Sequence, residues 1–173
     1  MFGKIIRFLF PLRYAIKKGL KLGQGVSFAS PRSVVFGTEP YLIEIGDFVR
    51  ISGRVAFITH DGGTWAFRYK QEYRNVFKYG RILIGEHSFI GYASIIMPGV
   101  KIGKNCVIGA GSIVTKNVPD GSVVAGVPAK FICSTEEYAK KITEIMPRDV
   151  NWDNYRKNKK EELIGLYLKN KKN

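Results

Sequence analysis

An apolar β-branched residue recurs every six positions at Ile84, Ile90, Ile96, Ile102, Ile108 and Val114. Four residues after each rung stands a small or β-branched side chain: Ser88, Ser94, Val100, Cys106, Ser112 and Val118. Glycine directly follows the rung at Gly85, Gly91, Gly103 and Gly109. Neither a helix period of 3.6 nor a strand alternation of 2 generates that pattern. A coil of short strands turning a corner every six residues does, with the rung pointing inward and the glycine relieving crowding at the corner. Three units close one triangular turn, so Ile84 is expected to stack on Ile102, Ile90 on Ile108, and Ile96 on Val114. One unit cannot bury its apolar side alone, and stability accumulates by stacking on the next turn.

The same step runs through Leu22, Phe28 and Val34, slips at Tyr41 to Ile43, and resumes at Ile45, Ile51 and Phe57. Val49 and Val55 fill the small slots there. The separation between Phe57 and Ile84 is not a multiple of six, so an insertion leaves the coil at about residues 60–80. Beyond Val114, Pro119 and Pro128 mark the last turn closing. The length suits a single domain over residues 1–173. It divides into a basic helical segment (1–21), the coil (22–133) and C-terminal helices (134–173). Ser134 and Glu137 form a capping box that satisfies N–H groups of a first helical turn. After a break near Pro147, Trp152 and Tyr155 lead into Leu163, Leu166 and Tyr167.

Lysine and arginine total 28 against 14 acidic residues, a net charge of +14. Such a surplus suits an anionic partner (cofactor phosphates, a nucleotide-linked substrate, nucleic acid or an acidic membrane), or equally a solvated basic surface. The N-terminal segment sets Ile5, Leu9, Leu12, Ile16 and Leu20 at helical spacing among Lys4, Arg7, Arg13, Lys17, Lys18 and Lys21, with Pro11 kinking it or starting a second helix. It reads either as a helix packed on the end of the coil or as an interfacial helix on anionic lipid. No run approaches the roughly 20 apolar residues that span a bilayer. Arg7 and Pro11 interrupt the N-terminal apolar stretch, no small-residue cleavage site follows, and a cytoplasmic protein is expected, membrane-associated under the interfacial reading. Cys106 occupies a small core slot, Cys133 lies beyond the ladder, and neither has metal-ligand spacing.

The run ILIGEHSFIGYASIIMPGVKIGKNCVIGAGSIVTKNVPDGSVVAGVPAKFI resembles the hexapeptide-repeat acyltransferases. Within them it is most similar to the maltose/galactoside and xenobiotic acetyltransferase branch, which includes capsule and O-antigen O-acetyltransferases. The resemblance covers about residues 40–133, and its closing part, GAGSIVTKNVPDGSVVAGVPAKFI, is the most specific. It implies an all-β fold, a left-handed parallel β-helix with a protruding loop and helical segments at both termini. The left hand comes from the family alone, since parallel crossovers are generally right-handed. It also implies a homotrimer with sites between neighbouring coils, and acetyl-CoA as co-substrate.

By the same resemblance, His60 in ITHDGG is the general base that takes the acceptor's proton. Asp61 either orients the imidazole or forms the turn before Gly62 and Gly63. The chain's other histidine, His87, falls at an outward corner and is given no chemistry. Two histidines fall short of the three zinc ligands of the trimeric carbonic anhydrases that share this architecture, so no metal is expected. The family's acetyl-CoA contacts fall on Tyr92, Ala110, Thr115, Lys116 and Lys130. Tyr92 stands where relatives carry a small residue. Lys130 stands where they usually carry arginine, so a point charge replaces a bidentate fork.

Trp65, Arg68 and Tyr73, with Phe67, Tyr69, Lys70 and Arg74 beside them, either bind the acceptor or pack the insertion on a neighbouring subunit. The expected acceptor is a saccharide hydroxyl, free, nucleotide-linked or in a growing polysaccharide such as capsule or O-antigen. An antibiotic hydroxyl or an amino sugar is the alternative, and a non-catalytic basic trimer binding membrane or nucleic acid is another. Confinement of the aromatics to one insertion speaks against single-stranded nucleic acid as a partner. The two readings of the N-terminal segment part in a liposome pelleting assay. Deleting residues 1–20 lowers recovery with anionic vesicles only if that segment binds lipid, and leaves it unchanged if the segment packs on the coil.

Overall fold

The computed structural model describes residues 9–145 and 152–169. Short parallel strands wrap into a left-handed parallel β-helix with three faces. The first face stacks Lys21–Leu22, Ile43–Ile45, Ile82–Ile84 and Lys101–Ile102. The second stacks Ser27–Phe28, Arg50–Ile51, Phe89–Ile90, Val107–Ile108 and Ser122–Gly126. The third stacks Ala56–Phe57, Ile95–Ile96 and Ile113–Val114. Register follows the six-residue step: Ile84 lies on Ile102, Ile90 on Ile108, and Ile96 on Val114.

The interior explains the residue choice. Ile51, Phe57, Ile90, Ile96 and Ile108 are fully buried, as are the slot residues Ser94 and Ser112. Each rung contributes roughly 1.5–3 kcal/mol relative to exposure. The slots must be small, and their hydroxyls tie adjacent turns together. Ser94 Oγ donates to the Gly109 carbonyl at 3.0 Å, and Ser88 Oγ donates to the Gly103 carbonyl at 2.9 Å while accepting from the Cys106 N–H at 3.0 Å. Cys106 points its thiol at the Pro119 carbonyl (3.0 Å), and burial pushes its pKa up, so it is core.

Glycine after the rung is a requirement of the next turn. A Cβ on Gly85 would stand 2.4 Å from the Gly103 carbonyl carbon, and one on Gly91 would stand 2.5 Å from the Ile108 oxygen. The corners themselves are left-handed in φ at His87, Ala93, Gly99, Asn105 and Gly111, one per step. His87 is therefore a corner residue, its ring stacked 5.1 Å from that of Phe48, the corner residue of the turn before.

Both ends of the coil are closed. A helix over Pro11–Lys17 begins on its proline, where the missing N–H has no partner to lose. Ala15 and Leu20 enter the core cluster and Leu12 packs against it. Ile5, Lys4 and Arg7 lie outside the described residues. At the far end Ala129–Ser134 turns back antiparallel onto Ser122–Gly126 and ends the parallel stacking. The capping box forms at the next helix, Thr135–Ile145: the Glu137 carboxylate accepts from the Ser134 N–H (2.8 Å), and Ser134 Oγ accepts from the Glu137 N–H (3.1 Å).

By its internal contacts the chain divides into two compact units, Met1–Tyr138 and Ala139–Asn173. The second holds short helices at Trp152–Lys157 and Lys159–Ile164 and a wider helical turn at Gly165–Lys169. No helix among the described residues is long and apolar enough to cross a membrane.

The coil model makes a direct prediction. Ile102 is almost wholly buried, and Ile102→Asp is expected to abolish the cooperative thermal transition and the strand signal in circular dichroism. Ile102→Val should cost only about 0.5–1.5 kcal/mol.

Candidate active site

Two interruptions of the six-residue step build the site, because both occur where the third face turns into the first. The later one leaves the coil after Ala56–Phe57 and returns at Ile82–Ile84. Its neck is a single antiparallel bridge between His60 and Tyr79, backed by Asp61 N–H to the Lys78 carbonyl (2.8 Å) and Gly80 N–H to the Thr59 carbonyl (2.9 Å). The earlier one lies a turn below and carries Thr38 and Glu39 just before the buried Pro40.

His60 Nδ1 lies 3.0 Å from Glu39 Oε2, across 21 residues of sequence. The imidazole side chain is 45% exposed and the carboxylate only 14%. Thr59, fully buried, donates its hydroxyl to the same carboxylate oxygen at 2.6 Å, and Thr38 Oγ1 donates to the other. Burial is the strongest single influence on the Glu39 carboxyl and pushes its pKa up. The hydrogen bonds from Thr38, Thr59 and His60, together with the imidazole's charge, outweigh burial and hold it below the usual carboxylate range. An ionised Glu39 suits an N–H donor at Nδ1, the tautomer in which Nε2 keeps its lone pair.

Of the two readings of Asp61, the structure realises the turn former. Its Oδ1 accepts from the Gly63 N–H at 2.9 Å and its Oδ2 pairs with Lys78 Nζ at 3.2 Å. Those contacts, the Gly63 N–H foremost, hold its pKa down. The carboxylate within hydrogen-bond distance of the imidazole is Glu39.

A cavity of about 370 Å³ opens beside His60 and is lined by Glu39, Trp65, Arg68, Phe77 and Tyr79 among others. Trp65 and Arg68 thus meet His60 in one space. Tyr73 is absent from that lining and packs edge-on against Phe67, ring centres 5.7 Å apart. Phe77 and Tyr79, stacked at 6.2 Å, are walls that the sequence reading did not single out. Their signal was their position closing the insertion, opposite the histidine that opens it. Glu39 also had a signal, the slip in the step near Tyr41.

The remaining candidates fall on two edges of the third face. Thr115 and Lys116 follow Ile113–Val114 as His60 follows Ala56–Phe57, two strand spacings or about 10 Å along the coil. With Lys130 they line a cavity of about 610 Å³. Tyr92 and Ala110 sit at the opposite edge, joined by the Gly111 N–H to the Tyr92 carbonyl (2.7 Å). The Tyr92 hydroxyl meets Arg54 Nη1 at 3.4 Å. The backbone N–H groups of Ala110 and Thr115 make no hydrogen bond among the described residues. No group of three or more metal-ligating side chains occurs among the described residues.

Comparison with known proteins decides the family. Residues 81–116 match a model described as the hexapeptide repeat of succinyl-transferase. Protein CapG of Staphylococcus aureus is 48% identical over 128 residues, 74% of this chain and 73% of CapG. The chain belongs to the hexapeptide-repeat acyltransferases. The galactoside O-acetyltransferase of Escherichia coli K12 is 57% identical over 51 residues, 30% of this chain and 25% of that protein. The crystal structure of a maltose O-acetyltransferase from Clostridium difficile 630 superposes with a TM-score of 0.55 at 24% identity, covering 70% of this chain and 73% of that one, a likeness of fold.

The depressed Glu39 carboxyl has a consequence for stability. A carboxyl held below its free value of 4.5 stabilises the fold fully above that pH. That contribution is lost as pH falls through the folded value. Melting followed from pH 6 to 2 should show the wild type losing its advantage over Glu39→Gln below about pH 4.5. A difference independent of pH would mean that the Glu39 carboxyl titrates alike in the folded and unfolded chain, and one that grows as pH falls would mean that it is protonated in the folded protein.

Proposed function

We propose that the protein transfers an acetyl group from acetyl-CoA to a saccharide hydroxyl, with His60 as the general base. The observation that carries this reading is the hydrogen bond from His60 Nδ1 to Glu39, at the mouth of a cavity walled by aromatic rings. Acetyl-CoA supplies the activated acyl group and a thiolate leaving group. Nε2 takes the acceptor hydroxyl's proton as the oxygen attacks, and Glu39 neutralises the imidazolium that forms. The imidazolium then returns the proton to the departing thiolate. No serine or cysteine nucleophile is needed, because both substrates meet in one site.

The cofactor's fit is supported by the Thr115, Lys116 and Lys130 cavity on the same edge of the coil as His60. Lys116 and Lys130 are exposed and have no ion-pair partner among the described residues, which suits them to phosphate groups. Free N–H groups at Ala110 and Thr115 suit the amides of the pantetheine arm. Tyr92 and Ala110 stand across the third face from that cavity, so one coil does not offer all five positions to one extended molecule. The outward residues of that face, Val35, Ala56, Ile95 and Ile113, are apolar. A homotrimer that packs this face brings one protomer's His60 edge against its neighbour's Tyr92 and Ala110.

A saccharide acceptor is favoured by Trp65 and Tyr79, whose exposed rings offer stacking faces for sugar C–H surfaces. Thiol release with a panel of sugars and sugar nucleotides tests the reading. His60→Ala should lose roughly 10²–10⁴-fold in kcat with acetyl-CoA binding intact. Glu39→Gln should lose part of that, and lose it in kcat more than in KM. Turnover that survives His60→Ala moves the base elsewhere, and absence of both turnover and acetyl-CoA binding removes the enzyme reading.

A further inference from the structure

Arg68 is held in one orientation by its neighbours. Its guanidinium carbon lies 3.9 Å over the Phe77 ring and 5.8 Å from the Trp65 ring. Its Nε donates to the Arg74 carbonyl at 3.0 Å. The Phe77 ring and the Arg74 carbonyl therefore set the plane of the fork. The two terminal nitrogens make no hydrogen bond among the described residues. Lys78, the other cation lining the His60 cavity, has Asp61. Arg68 and Arg74 have none within ion-pair distance, and Glu72, between them in sequence, pairs with neither.

Arg68 stands where two cavities meet. It lines the His60 cavity and also an adjoining cavity of about 430 Å³ that contains Trp65, Tyr69 and Arg74. Trp65 and Tyr69 are 77% and 80% exposed, aromatic surfaces held beside a cationic fork. A planar, pre-oriented guanidinium matches the paired oxygens of a carboxylate or a phosphate.

We propose that the acceptor saccharide carries an anionic group, a carboxylate or a phosphate, that sits on the Arg68 fork while the hydroxyl to be acylated lies at His60. This rests on the acyl-transfer reading above and narrows its substrate class. Neutral sugars would fill the aromatic walls but leave the fork unpaired.

The test compares glucose and galactose with their uronates, their 1-phosphates and their uridine diphosphate derivatives as acceptors in thiol release. Charge-assisted hydrogen bonds predict kcat/KM higher by roughly 10- to 100-fold for an anionic member of a series than for its neutral counterpart. Which member gains identifies the anion as uronate, phosphate monoester or diphosphate. Arg68→Gln should collapse that ratio toward one, Arg68→Lys should retain part of it, and Arg74→Gln should narrow it. A ratio near one in the wild type, or one unchanged by Arg68→Gln, overturns the proposal and leaves acyl transfer standing. If no acceptor is turned over, acyl transfer fails separately. Calorimetric titration of the same compounds then reads the anion site directly, and equal affinity in wild type and Arg68→Gln overturns it.

Discussion

The triangular interior admits one apolar rung per face per turn, and the rest of the molecule depends on that restriction. Because Ile84 must lie on Ile102 and Ile90 on Ile108, the chain has no freedom to slide by one residue without turning every rung outward. The glycines follow from the close approach of the next turn, and the small slots follow from the corner. The serines there also convert a spatial limit into hydrogen bonds between turns. Positions along the edges are consequently spaced at fixed intervals, and a side chain's neighbour above or below is determined by register rather than by nearness in sequence.

Register is what brings the imidazole and its carboxylate together. Glu39 and His60 are far apart along the chain, yet each sits where the third face turns into the first, on successive turns. Extra residues are tolerated at that corner because they leave the strands untouched on either side. Leu22 still pairs with Ile45, and Ile45 with Ile84. The coil supplies a rigid edge, and two departures from its repeat line the cavity beside His60.

That division explains what could be read from the sequence. The rungs, their stacking partners, the small slots, the closing turn and the Ser134–Glu137 cap all express local spacing, and the structure shows each of them. His60 was legible because it precedes an excursion within a recognisable motif. Glu39 was marked only by the slip near Tyr41, which signals an irregular loop but not a carboxylate, and the carboxylate within hydrogen-bond distance of the imidazole is that residue one turn below rather than the adjacent Asp61. Phe77 and Tyr79 were obscure for the same reason: their place opposite His60 depends on the insertion folding back on its own neck. Tyr73 shared the composition of the cluster but faces Phe67.

Charge around the cavity shows why each carboxylate stands where it does. A proton arriving on Nε2 adds a positive charge to a space already lined by Arg68 and Lys78, in a chain of net charge +14. Beyond about 8–10 Å solvent ions screen the surplus, so nearby groups decide the outcome. Asp61 neutralises Lys78 at 3.2 Å, and Glu39 meets the imidazole at 3.0 Å. Both anions are thereby committed, and Arg68 is the cation of the cavity that has no counter-charge. Under the proposed reading, the anion of the acceptor would meet the guanidinium while Glu39 keeps its hydrogen bond to the imidazole. A neutral acceptor would leave Arg68 without a counter-charge in the cavity where, under that reading, the imidazolium forms.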